Sequence, residues 1–115
     1  MQLQEVGNEE LEFLNKVINF SVPGKNFVLK NDEKIIGYSR INNEEEDDVF
    51  IYIKEEYRGN GYGKELFKLS FEKMQKNEII LNISKQNVQM QKIIENYQNI
   101  KIINEPKYIK YAIKK

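Results

Sequence analysis

Cysteine and histidine are both missing from this 115-residue chain. Without cysteine there are no disulfides, no thiolate metal ligands and no thiol nucleophile. Without histidine, carboxylates are the only ordinary metal ligands left, no metal is expected, and any general base must be something other than imidazole. An excess of one charge is lacking too, since 18 Lys and Arg balance 18 Asp and Glu. That balance argues against nucleic acid as a partner, because such a partner normally calls for a net basic face. Long apolar runs are absent: no stretch approaches 18 apolar residues, and the first residues have no n-region followed by a long apolar h-region. The expectation is a soluble, cytoplasmic chain with no membrane contact. No internal repeat, linker or low-complexity tail breaks the sequence. Its length fits one domain, residues 1–115, with a core that buries about 65% of the unfolded surface.

Hydrophobic patterning then divides the chain into elements. Met1 to Val6 reads as a short strand. Asn8 is placed to cap a helix whose apolar residues Leu11, Leu14 and Ile18, with Phe13, Val17 and Phe20, recur at three- and four-residue steps, and Ser21-Val22-Pro23-Gly24 ends it. Phe27-Val28-Leu29 and Ile35 to Ser39 flank Asn31-Asp32-Glu33-Lys34, a hairpin turn rich in residues that tolerate the left-handed region. Asn42 to Asp48 is a second, acidic turn, and Val49 to Ile53 a strand. A helix over Glu65 to Met74 places Leu66, Phe67, Phe71 and Met74 on one side. Ile79 to Ile83 is nearly continuous in apolar residues, which predicts a strand buried on both faces. An amphipathic helix with Met90, Ile93, Ile94 and Tyr97 is expected over Val88 to Tyr97, and two strands, Ile100 to Ile103 and Tyr108 to Ile113, meet around Pro106. This order predicts an α+β fold on a mixed sheet.

Between the strand Val49 to Ile53 and the helix at Glu65 lies Tyr57-Arg58-Gly59-Asn60-Gly61-Tyr62-Gly63-Lys64. Three alternating glycines can turn consecutive N–H groups toward one point and let a ligand approach the backbone closely. The helix behind them adds unpaired N–H groups and roughly half a positive charge, so the arrangement suits phosphate. The P-loop pattern fails, since Gly63-Lys64 has Arg58 five residues before it and Glu65 after it. The dinucleotide fingerprint fails as well, because the order here is G-x-G-x-G.

Arg58-Gly59-Asn60-Gly61-Tyr62-Gly63 resembles the acyl-CoA-binding signature of the GNAT superfamily of N-acetyltransferases, Arg/Gln-x-x-Gly-x-Gly/Ala. Upstream, Ile51 to Gly59 is similar to the family's fourth strand and lead-in, L-x-V-x-P-x-Y-R-G, with Glu55 in place of proline. Downstream, Leu81 to Met90 is similar to the fifth strand and next helix, L-x-V-x-x-x-N-x-x-A, with Asn87 matched and Met90 in place of alanine. The likeness covers roughly residues 26 to 113. It implies a mostly antiparallel sheet whose parallel fourth and fifth strands splay apart to admit the pantetheine arm of acetyl-CoA. Backbone groups of Ile51 and Ile53, with Tyr52 between them, would bond that arm, and the amides of Gly59, Gly61, Gly63 and Lys64 would hold the pyrophosphate. Asn60 and Asn87 complete the implied set. The Arg58 guanidinium either pairs with a phosphate or lies on the helix surface. The Lys64 side chain is either a phosphate contact or a solvated charge, and Tyr62 either stacks on the cofactor or packs against the neighbouring helix.

The resemblance implies transfer of an acetyl group to a primary amine, and that chemistry needs the neutral amine. For an amine of pKa about 10.4 the free base at pH 7 is about 1 part in 2,500, a deficit of about 4.6 kcal/mol. The family often places a carboxylate near the start of the fourth strand, where Asp47 and Asp48 are the nearest matches. Asn43 to Asp48 equally reads as a solvated hairpin tip, or as an acidic patch that attracts a cationic acceptor from a distance. The departing thiolate is commonly protonated by a tyrosine on the helix after the fifth strand. Counting from Asn87 puts Ile94 at that position, followed by the matching Glu95, with Gln98 in place of glycine. Tyr97, three residues on, is the candidate substitute, with core packing its plain alternative. Absence of cysteine excludes a thioacyl intermediate, so transfer would be direct. Only residues 7–25 separate Val6 from Asn26, shorter than the family's usual two-helix wall, so the acceptor groove is expected either to be open or to be completed in a homodimer. The competing reading is an acyl-CoA-binding module without efficient turnover, a sensor or assembly subunit, for which Ile94 is the main support.

Overall fold

The computed structural model describes residues 1–7, 24–42 and 48–114. The expected helix after Asn8 and the acidic residues 43–47 lie outside the described residues. Seven strands and two helices are found among those described: β1 (Gln2–Val6), β2 (Lys25–Asn31), β3 (Lys34–Asn42), β4 (Asp48–Ile53), α1 (Tyr62–Lys73), β5 (Glu78–Ser84), α2 (Val88–Glu95), β6 (Ile100–Asn104) and β7 (Tyr108–Lys114). A single turn of 3₁₀ helix, Glu55–Tyr57, follows β4. None of the described helices is long and apolar enough to cross a membrane.

β1 to β4 form an antiparallel meander in sequence order, and β5, β7 and β6 form a second antiparallel sheet in that spatial order. The α+β architecture read from the sequence is present, with its sheet parted in two. β4 and β5 lie beside each other, yet no ladder joins them among the described residues. The splay expected between the fourth and fifth strands is this parting.

Local chemistry accounts for the elements. The β2–β3 hairpin closes through Asp32 at φ 57°, the left-handed region that Asp tolerates better than most residues. Gly37 on β3 is required by crowding, since a Cβ there would stand 2.6 Å from the Tyr52 carbonyl oxygen. β3 is covered on both faces from Ile36 to Ile41. One face of the first sheet packs on α1 through Leu29, Ile36 and Leu66, while the other carries Val28 and Tyr38 with Phe50 and Tyr52 beside them. α1 buries Leu66, Phe67 and Phe71, and Met74 just past its end is buried too, the stripe predicted from spacing. Ser70 is also buried there, its hydroxyl donating to the Leu66 carbonyl at 2.7 Å and sharing a hydrogen bond with Ser39 Oγ at 2.9 Å. A buried hydroxyl without such partners would cost about 1–3 kcal/mol.

Two expectations are corrected. β5 alternates, with Ile79, Leu81 and Ile83 in the core and Ile80 40% exposed. Only one face of the second sheet is packed at this strand, so the apolar run does not mark two-sided burial. α2 stops at Glu95, two residues earlier than expected, and the Tyr97 amide turns back to the Ile94 carbonyl at 3.0 Å. Tyr97 is therefore in the turn beyond the helix and not on its face.

Candidate functional site

β4 delivers the chain to the site with one edge that no strand pairs among the described residues. The Lys54 amide donates to the Ile36 carbonyl at 3.0 Å across the β3 ladder. Peptide groups alternate sides along a strand, so those of Tyr52 point toward β3 and those of Ile51 and Ile53 point into the parting. The 3₁₀ turn then swings the chain around, with the Tyr57 amide on the Lys54 carbonyl at 2.9 Å and the Arg58 amide on the Glu55 carbonyl at 3.2 Å.

Gly59 and Gly61 follow at φ 84° and 80°, angles at which a side chain is strained, and Gly61 forms the N-cap of α1. The Asn60 side-chain amide donates to the carbonyls of Tyr57 and Arg58 at 3.2 and 3.4 Å, holding the loop from within. The first helical bond of α1 runs from the Glu65 amide to the Gly61 carbonyl at 3.3 Å. The amides of Tyr62, Gly63 and Lys64 thus precede the helix ladder and present their N–H groups at its positive end.

Across the gap, Asn87 caps α2 by accepting from the Met90 amide at 3.2 Å, and its own amide donates to the Ser84 carbonyl at 2.9 Å. Gln91 braces the same turn, donating to the carbonyls of Ser84 and Lys85 at 3.1 and 3.0 Å. These pieces enclose a cavity of about 420 Å³, into which Ile51, Tyr52, Ile53, Arg58, Gly59, Gly61, Tyr62, Gly63, Lys64 and Asn87 all face. Of the cofactor-binding candidates only Asn60 stands off the lining, with its side chain turned into the loop. Met90 and Ile93 also line the cavity and were not among the candidates. Their signal is three-residue spacing from Asn87, which puts them on the same side of α2.

The catalytic candidates are not gathered there. Tyr97 lines a neighbouring cavity of about 540 Å³ between α1 and α2, together with Lys64, Glu65, Lys68, Ile93, Asn96 and Gln98. Its ring meets Phe67 and Phe71 edge-on at centroid distances of 5.4 and 5.2 Å. Burial, and secondarily the charge of Glu72, push its hydroxyl pKa up, so it stays protonated at neutral pH. Ile94, at the position where the family pattern has tyrosine, is fully buried. Asp47 lies outside the described residues, and Asp48 is placed by its backbone, which pairs with Asn42 at the far end of β4 from the glycine loop.

The sequence matches the Acetyltransferase (GNAT) family model over residues 2–97, and the chain belongs to that family of enzymes. No curated protein gives a significant sequence match. Among solved structures, a variant of the Vibrio cholerae spermidine N-acetyltransferase SpeG aligns with a TM-score of 0.73 at 16% identity, covering 99% of this chain and 95% of that one. The Campylobacter jejuni N-acetyltransferase PseH aligns at 0.68 and 19% identity, with 99% and 97% covered. The Salmonella typhimurium protein yncA, whose structure contains its cofactor acetyl-CoA, aligns at 0.68 and 9% identity, with 97% and 90% covered. At these identities the likeness establishes the fold. Acetyl-CoA is the cofactor that goes with this family.

Proposed function

We propose that residues 1–115 act as one acyl-CoA-binding domain that moves an acetyl group from acetyl-CoA directly to a primary amine. The observation that carries this reading is the convergence of two backbone sets on one cavity: the edge of β4 at Ile51 and Ile53, which no strand pairs among the described residues, and the amides at the start of α1. The first set suits an amide-bearing arm, and the second suits a pyrophosphate. The donor supplies an activated acetyl thioester. The chain's part is to hold it extended, keep its carbonyl at the parting and leave one side open for the amine.

Asp48 and Asp47 are the proposed bases at the start of β4, and their carboxylates also favour a cationic acceptor. Spermidine is a reasonable first amine to test, since SpeG is a spermidine N-acetyltransferase. Tyr97 we read as a packing residue. A thiolate whose conjugate acid has a pKa near 8.5 takes a proton readily from water at neutral pH, so turnover does not depend on a tyrosine. Ile94, buried where the family pattern has tyrosine, is the feature behind the competing reading, a binding module without efficient turnover, and proton uptake from water weakens that reading.

Acetyl-CoA should raise the melting temperature by mass action, and Gly61→Val should abolish the shift by placing a branched side chain at a positive φ beside the pyrophosphate. Absence of any shift at millimolar acetyl-CoA, with no heat of binding, would remove the central support. Binding without acetylation of a broad panel of amines and peptides would favour the binding module.

A further inference from the structure

The Ile53 carbonyl is an unusual member of the open β4 edge. It points away from β3 into the parting, where an ordinary sheet would supply another strand. It accepts instead from Arg58 Nε at 2.9 Å. The same guanidinium carbon lies 5.4 Å from the centre of the Tyr52 ring, within cation–π range. Arg58, Ile53 and Tyr52 all line the cofactor cavity. The side chain expected either to reach for phosphate or to lie free on the surface is therefore folded back along β4, with a directed N–H on one residue and its cation over the ring of the next.

We infer that Arg58 is a positioning residue, which substitutes for the missing strand at the Ile53 carbonyl and holds the Tyr52 ring as a wall of the cleft. This inference rests on acetyl-CoA being the donor. With the Ile53 carbonyl taken, the edge offers the donor's arm the N–H and C=O of Ile51 and the N–H of Ile53. The arm is thereby confined to one register. Two features of the guanidinium are needed together, a fixed Nε–H and a flat face, and an ammonium group has neither in that geometry. Charge alone does not suffice for this role, whereas charge is most of what a phosphate clamp requires.

The test compares Arg58→Lys and Arg58→Met with two donors, acetyl-CoA and S-acetylpantetheine, the second of which keeps the arm and thioester but has no phosphate. Both variants should raise KM for both donors by about tenfold, the scale of one lost charged hydrogen bond, with kcat largely retained. Lysine should rescue nothing, and Tyr52→Leu, which removes the ring but not the cation, should show the same KM pattern. A loss confined to acetyl-CoA and partly rescued by Arg58→Lys would make Arg58 a phosphate clamp and overturn the inference. No loss with either donor would make it a solvated charge, with the same result. The salt dependence of acetyl-CoA affinity is the second readout: Arg58→Met should keep the wild-type slope, and a flattened slope would again indicate a lost phosphate contact. Wild-type protein that neither binds nor uses acetyl-CoA would overturn the donor assignment itself and this inference with it, an outcome distinct from any pattern among the variants. Thermal melts of each variant establish that the loss is not one of folding.

Discussion

The Tyr111 hydroxyl donates to Glu95 Oε1 at 3.2 Å, tying the buried middle of β7 to the last residue of α2, the helix whose first turns line the cofactor cleft. Burial first, then the charge of Glu95 and the hydrogen bond to it, push the tyrosine pKa up to about 12. An unfolded tyrosine titrates near 10, so the folded state favours the neutral form. The stabilisation is fully present below about pH 10 and is lost as pH rises toward 12, an effect on the order of 2–3 kcal/mol. Burial raises Tyr97 and Tyr38 in the same direction. Denaturant unfolding at pH 9 and pH 11 should therefore show a steep loss for the wild type and a shallower one for Tyr111→Phe, which has nothing to ionise at that position. At neutral pH the same substitution should cost about 1 kcal/mol, since Glu95 is exposed and stays hydrated. Equal pH slopes in the two proteins would remove the Tyr111–Glu95 pair from this account.

Gly61 and Gly63 should respond in opposite ways to alanine. At Gly61 a Cβ would meet nothing within 4 Å, so its only cost is the left-handed backbone, about 1–2 kcal/mol. At Gly63 the backbone is not at positive φ, and a Cβ would sit in ordinary contact with Ile93 Cδ1 at 3.6 Å. Gly63→Ala should accordingly gain about 0.5–1 kcal/mol from helix propensity and reduced chain entropy. Urea titrations of the two variants check the sign of each change, and a stabilised Gly61→Ala would contradict the loop geometry.

Tyr97→Phe should keep kcat close to wild type, because the ring packs on Phe67 and Phe71 outside the cavity formed by β4 and the glycine loop. A drop of about 10²-fold or more, the usual scale for a general acid, would return the proton-donor role to this hydroxyl. Tyr97→Ala should instead lower stability by about 2–4 kcal/mol, since it removes a partly buried ring from two edge-on contacts.

The parts of the site legible in the sequence are those set by local backbone chemistry. Gly59 and Gly61 adopt the positive φ angles that only glycine adopts freely, Asn87 caps the helix it precedes, and the stripe on α1 follows its 3.6-residue period. What failed depended on neighbours far away in the chain. Ile80 reads like Ile79 in the sequence, and only the packing of the second sheet exposes one and buries the other. The end of α2 carries no glycine or proline, so nothing in the run to Tyr97 signalled that the chain leaves the helix after Glu95. The direction of the Arg58 side chain was equally hidden, because a phosphate contact, a free surface charge and a bond to the Ile53 carbonyl all leave the same residue at the same position.

The acidic approach to β4 separates base catalysis from electrostatic attraction. If Asp47 or Asp48 takes the proton from the acceptor amine, replacing the responsible residue by Asn should depress kcat/KM most at pH values below the pKa of the bound amine. Raising the pH should then restore part of the rate, because the amine arrives already neutral and the deficit of about 4.6 kcal/mol at pH 7 disappears. Attraction alone has a different signature. Asp47→Asn and Asp48→Asn should then behave alike, each with a modest loss that vanishes as added salt shortens the Debye length from about 10 Å to about 3 Å. A pH-rescued loss confined to one of the two aspartates would assign the base, and a salt-sensitive loss shared by both would leave the run as a guide for cationic amines.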